Sequence, residues 1–184
     1  MAKRPATYED LLQVPSHQVA QIIDGELHVS PRPSVRHAAV SSGLGTDIFS
    51  SFARHGRGGP GGWVILDEPE LHIVGQVLVP DIAGWRRERM PEIPDTAFID
   101  LAPDWLCEVL SPSTAAVDRT RKMHHYAKAQ VRHVWLLDPG PETLEVYRLD
   151  GEGWRLALAV AGPEKVRAEP FEAVELDLAG VWAR

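Results

Sequence analysis

The stretch from Asp104 to Asp138 does most to limit the folds open to this chain. It reads as two apolar strands, "DWLCEVL" and "VRHVWLLD", on either side of a helical "SPSTAAVDRTRKMHHYAKAQ". A strand–helix–strand unit of that length permits a right-handed crossover and a parallel strand pair. Within the first strand Glu108 lies among Trp105, Leu106, Cys107, Val109 and Leu110. An ionised carboxylate in apolar surroundings is costly unless it is paired, bound to a metal or kept neutral. Either this strand end is wet, or another part of the chain supplies a partner.

The remaining segments place strands and helices around that unit. Thr7, with Asp10 three residues on, approximates a capping box for a short helix in "TYEDLL". Asp24-Gly25 between "VAQII" and "ELHVS" predicts a tight hairpin, because both central turn residues need positive φ. Two prolines then end the strand. Ser34 can cap a helix carrying Ala39, Leu44 and Ile48, weakened by Gly43 and Gly45. "GRGGPGG", Gly56 to Gly62, lacks the Gly-Lys-Ser/Thr ending of a phosphate-cradling loop and follows a helix rather than a strand, so it reads as a loop. "WVILDEPELHIVGQVLVPDIAGW" reads as strands with turns at Glu68-Pro69 and Gly75-Gln76, and "TLEVYRLDGEGWRLALAV" as a hairpin around Asp150-Gly151. The expected architecture is α/β: a central mixed sheet flanked by helices, with antiparallel hairpins, in a single domain over residues 1–184.

Composition narrows the function classes. The single cysteine, Cys107, excludes an internal disulfide and a multi-cysteine zinc site, and in its apolar run reads as a core residue. The chain has no signal-peptide pattern and no run long enough to span a membrane, which points to a cytoplasmic protein. A net charge of −7 argues against coating nucleic acid through a broad basic surface, but leaves local recognition and metal-assisted chemistry open.

A second carboxylate, Asp81, follows the apolar run Val77–Pro80, and Pro80 marks a strand edge or bulge where a side chain can be re-aimed. Two carboxylates brought together repel unless a cation lies between them. Mg²⁺, held by one or two carboxylates with waters and phosphate oxygens, is the natural candidate. Lys122 lies about two turns into the helix that Ser113 or Thr114 can cap. Its spacing from Asp118 favours an ordinary helix-surface ion pair; the alternative sets its ammonium beside a metal-bound phosphate.

"VLVPDIAGW", "APDWLCEVLSPST", "DRTRKMHHYA" and "VRHVWLLDP", in that order and spacing, resemble the Uma-two family of endonucleases. That family is a branch of the PD-(D/E)XK, or restriction-endonuclease-like, superfamily. The likeness runs from "TYEDLL" and "IIDGELHVSPRPSVRHA" to "EPFEAVELDL", nearly the whole chain. It implies a restriction-endonuclease-like core, assembly as a homodimer, and Mg²⁺-dependent hydrolysis of DNA phosphodiesters, with Mn²⁺ as a possible substitute. By position, the resemblance implies Asp81 as the first metal ligand, Glu108 as the second, and the Val109 carbonyl as a further one. The superfamily's usual lysine would fall at Leu110; here Lys122 on the next helix is the matching residue. Gln21 stands where family members carry an acid, and an amide is a weaker ligand for a hard cation.

Other residues have two readings each. His37 is either a helix-end histidine or a contact to phosphate or a metal-bound water. Tyr126, one turn beyond Lys122, is expected to pack its ring and steady that lysine. Arg86, Arg87 and Arg89 form a basic run that either contacts DNA or is simply solvated. The adjacent His124 and His125 diverge on a helix and are rejected as a metal pair. Trp105 and Trp135 read as core. Three functions remain: a Mg²⁺-dependent nuclease using Asp81, Glu108 and Lys122; a catalytically degenerate nuclease fold acting as a binding or assembly module; and a hydrolase of a smaller phosphate ester.

Overall fold

The computed structural model describes residues 4–53 and 59–182. Helix α1 (Tyr8–Leu12) opens with the expected capping box: Thr7 and Asp10 each satisfy the other's backbone N–H. Strands β1 (Gln18–Ile23) and β2 (Glu26–Pro31) form the hairpin expected at Asp24-Gly25, with φ of 54° and 74° at those residues. Ser34 caps α2 (Val35–Ile48), which continues as a π-helical turn over Phe49–Ala53. Leu44 and Ile48 are buried as expected, whereas Ala39 is exposed and Val40 takes its place in the apolar stripe. Of the glycine-rich stretch, Gly56–Gly58 lie outside the described residues, and Gly59–Gly62 are irregular.

Next come β3 (Trp63–Asp67), β4 (Leu71–Ile73), β5 (Gln76–Leu78), β6 (Ile82–Arg86) and β7 (Trp105–Val109). The β4–β5 turn falls on Val74-Gly75 rather than Gly75-Gln76, both with positive φ (45° and 75°). The helix after β7 is one path in three parts: α3 (Ala115–Val117), a π-helical segment over Asp118–Lys122, and α4 (Met123–Lys128). It leads to β8 (His133–Asp138), the hairpin β9 (Thr143–Asp150) and β10 (Gly153–Ala161), the short pair β11 (Lys165–Val166) and β12 (Leu176–Asp177), and α5 (Leu178–Val181).

The central sheet has six strands in the order β10-β9-β8-β7-β6-β3, with β7 and β8 parallel and the other pairs antiparallel. A second, antiparallel sheet runs β2-β1-β5-β4. The period of two along β7 divides its side chains between two apolar clusters. Trp105, Cys107 and Val109 join α2, Phe171 and α5 on one face. Leu106 and Leu110 join Met123 and Tyr126 of α4 and Ile23, Leu71 and Leu78 of the second sheet on the other. Trp63, Trp85, Trp105 and Trp135 are all fully buried, so the tryptophans read as core are core.

The site depends on one crossing. Leu78 ends β5 in the second sheet, and Ile82 begins β6 in the central one, so Val79-Pro80-Asp81 carries the chain from sheet to sheet. Proline suits that point because no ladder there needs its N–H. In the β6–β7 pairing Ile82 opposes Cys107, which makes Asp81 and Glu108 the next residues on each strand at the sheet's rim. The two carboxylates, 27 positions apart in the chain, are thereby brought side by side.

Candidate active site

A cleft of about 330 Å³ opens at this rim, and its lining includes Gln21, His37, Asp81, Glu108, Asp118 and Lys122. Glu108 is nearly sealed, with its side chain 3% exposed, while Asp81 at 16% stands closer to the mouth. Glu108 has the partner its burial demands. Its Oε1 lies 2.7 Å from Lys122 Nζ and accepts a 2.5 Å hydrogen bond from the Tyr126 hydroxyl. Lys122 also lies 3.2 Å from Asp118 Oδ1. The pair with Asp118 is therefore present, but it is not on the helix surface: Asp118 and Lys122 are both buried. The π-helical segment widens the helix over these two residues, and such single π turns recur at functional sites. Tyr126 steadies Glu108 directly; its hydroxyl goes to the carboxylate and not to the lysine.

Asp81 is held from two sides. Its Oδ2 accepts the Val109 backbone N–H at 2.7 Å, and its Oδ1 lies 3.3 Å from His37 Nε2. His37 stands at the helix end, in the first turn of α2, and its side chain, only 11% exposed, is drawn into the site. Gln21 faces the same cleft from β1, but its amide oxygen accepts the Val79 N–H at 2.9 Å. It braces the backbone two residues before Asp81.

The electrostatics follow from burial. Desolvation pushes the Glu108 carboxyl up to about 8; the charges of Asp118 and Asp81 add to the rise and Lys122 opposes it. Burial works against the Lys122 ammonium, yet Glu108 and Asp118 together hold its pKa well above the ordinary value. Burial also pulls on His37, but Asp81, the Val109 backbone and Glu108 outweigh it and raise the imidazole's pKa. Cys107, next to Glu108, is pushed well up by burial and stays a thiol.

Among the described residues, no group of three or more His, Cys, Asp or Glu side chains is arranged to hold a metal. The donors present, two carboxylates at one rim with the Val109 backbone beside them, suit a hard cation completed by water and substrate oxygens. They do not suit a zinc-type site closed by side chains.

The basic run lies elsewhere. Asp81 precedes β6 and Arg86 ends it, so the arginines sit at the opposite end of the strand from the cleft. All three are engaged: Arg86 stacks 4.2 Å over the Trp63 ring, Arg87 donates to the Trp63 carbonyl, and Arg89 pairs with Asp104 at 2.9 Å. His124 and His125 do not form a ligand pair; His125 Nε2 instead meets Asp24 Oδ1 at 2.9 Å. Asp118 is the site residue that the sequence undervalues. Its i, i+4 spacing from Lys122 is visible in the chain, but its burial is not.

The model of the Uma2 family, described as "Putative restriction endonuclease", matches residues 5–179. A crystal structure of a "putative nuclease belonging to DUF820" from Anabaena variabilis ATCC 29413 superposes with a TM-score of 0.78. It is 24% identical, and the match covers 97% of this chain and 98% of that one, a likeness of fold. No curated protein matches the chain. Among the described residues no helix is long and apolar enough to cross a membrane.

Proposed function

Because the chain belongs to the Uma2 family, we propose that it is a Mg²⁺-dependent endonuclease that hydrolyses DNA phosphodiesters, working in the cytoplasm as a homodimer. The observation that carries this reading is the convergence of Asp81, Glu108 and Lys122 on one cleft.

Asp81, Glu108 and the Val109 carbonyl would hold the cation, which when bound offsets the repulsion of the two carboxylates and polarises the scissile phosphate. The chain's own groups do the rest. Glu108 and Asp81 present oxygens from adjacent strands of a rigid sheet, so their separation is set by backbone pairing and not by side-chain freedom. Lys122 brings a positive charge to the floor of the cleft, where it can orient the attacking water or stabilise charge building on phosphate oxygens. Water attacks phosphorus in line and gives up a proton, the bond to the departing sugar oxygen breaks, and that oxygen takes up a proton in return. His37, with its pKa raised above the ordinary value, is a proton carrier at the mouth beside Asp81.

Asp81→Ala and Glu108→Ala should each remove Mg²⁺-dependent cleavage of DNA while the protein keeps its fold by circular dichroism. A wild-type protein that cleaves no nucleic acid with Mg²⁺ or Mn²⁺, over a range of substrates and salt, would sink this reading. One observation favours a second: the Gln21 oxygen is committed to Val79, so the position where relatives carry an acid offers no carboxylate to a cation. A non-catalytic binding or assembly module on the same fold would bind divalent cations no better than its Asp81→Ala variant in calorimetry.

A further inference from the structure

We propose that the β1–β2 hairpin is a strut that sets the position of Lys122: its tip residues Asp24 and Glu26 grip Arg121 and His125 and so fix the helix that carries the lysine. This deepens the nuclease reading and rests on it for its catalytic consequence.

The helix from Ala115 to Lys128 is poorly fixed by its own backbone. It starts at Thr114 without a side-chain cap, and its middle is a π-helical segment, a geometry short helices seldom keep unaided. External ties hold it, and they fall into stripes. Asp118, Lys122 and Tyr126, spaced four apart, point inward to one another and to Glu108. Arg119 reaches sideways to β9, where Glu145 takes both of its terminal nitrogens at 2.9 and 2.7 Å. Arg121 and His125, again four apart, form the other lateral stripe and meet the hairpin.

There Arg121 donates to Glu26 at 2.6 Å, lies 3.1 Å from His28 Nε2, and lies 3.6 Å from Asp24 Oδ2. His125 meets Asp24 Oδ1 at 2.9 Å, with a side chain only 5% exposed. The same hairpin touches the other half of the site. Gln21 accepts from Val79 just before Asp81, and the Asp24 N–H donates to Gln76 Oε1 at 2.6 Å. One element thus ties the Asp81 side of the cleft to the Lys122 side.

Glu26 is exposed and Arg121 half-buried, and a pair so open to water contributes little to global stability. A positioning role therefore predicts a specific pattern: local loosening and a slower chemical step, with little change in melting temperature. Arg121→Ala and Asp24→Asn in the full chain test it; Asn tolerates the left-handed backbone that Asp24 adopts at φ 54°. In the metal-free protein, amide hydrogen exchange over residues 115–128 should quicken about tenfold or more while β7 and β8 stay protected. In DNA cleavage, kcat should fall by about tenfold to a hundredfold with KM within about twofold, as expected when a catalytic group is misplaced by about an ångström. Arg121→Lys should recover part of the loss. Wild-type exchange in both variants, or a loss confined to KM, overturns the strut. A wild-type protein without cleavage defeats the nuclease reading instead, and the exchange measurement still decides whether the hairpin holds the helix.

Discussion

If Glu108 binds a divalent cation as proposed, that cation competes with a proton and with the Lys122 ammonium for the same carboxylate. Its folded pKa, raised by burial to about 8, lies above its ordinary value, so the neutral form is the one that folding favours. For a raised acid the stabilising contribution is complete below the ordinary carboxylate pKa and is lost as pH rises through about 8. A cation must displace that proton, so Mg²⁺ affinity should strengthen from about pH 6 to about pH 8.5, with up to about one proton released on binding. Calorimetry at pH 7 in buffers of different ionisation enthalpy reads the release; identical heats in all buffers would contradict it. The Tyr126 hydroxyl is the second donor to Glu108. Tyr126→Phe deletes it from a sealed site and should cost about 1–3 kcal/mol in urea unfolding. The placement of two cleft residues was legible in the chain, since Asp81 and Glu108 each follow an apolar run, whereas the spacing of Lys122 from Asp118 pointed to a surface pair. What stayed hidden was depth. His37 and Asp118 have the spacing of a helix start and a surface pair, and only packing against Asp81 and Glu108 makes them part of the cleft.

Between elements, the close approach of β3, β6 and β7 depends on Gly84. A Cβ there would lie 2.9 Å from Ile65 Cδ1, 3.1 Å from Trp105 Cε3 and 3.3 Å from Trp63 Cε3. These neighbours are packed rings and a buried methyl, so Gly84→Ala should overpack the sheet and cost about 1–3 kcal/mol. Chemical denaturation measures that cost. Because the same strand presents Asp81 at its other end, cleavage should weaken with it; an unchanged denaturation midpoint would show that the sheet accommodates the methyl group. Sequence patterns located most of these elements for physical reasons. Asp-Gly places the β1–β2 turn because both residues tolerate positive φ, and the run from Asp104 to Asp138 predicts the parallel pair that β7 and β8 form. Misplacements have causes as well. Val74 takes φ 45°, a conformation that a β-branched residue seldom adopts, so no propensity pointed to the observed β4–β5 turn. The π-helical segment has no local signature; it coincides with the burial of Asp118 and Lys122, the latter against Glu108.

The distribution of charge over the molecule limits how nucleic acid can be held. The chain carries a net −7, and its densest arginine run is spent on Trp63 and Asp104 at the far end of β6. Around the cleft and the cavity that adjoins it, the cationic side chains among the described residues are Arg32, Arg36 and Lys122. Arg36 is shared with Glu142 at 3.7 Å, and Lys122 is committed to Glu108 and Asp118. A DNA-coating protein neutralises many phosphates, and its affinity falls steeply with salt because each contact releases counterions. With about two or three phosphate contacts from these described side chains, the plot of log affinity against log salt should have a slope of about −2 to −3. Fluorescence anisotropy of a labelled duplex, read in Ca²⁺ to support binding without turnover, measures that slope between about 50 and 200 mM salt. Arg32→Ala should flatten it by about one, whereas Arg86→Ala should leave it unchanged, since Arg86 lies on Trp63 at the opposite end of the strand. A slope near −7 would mean that a basic surface beyond the cleft holds the substrate. A shallow slope makes recognition local, with the cation and the cleft walls supplying most of the hold on the phosphate that reacts.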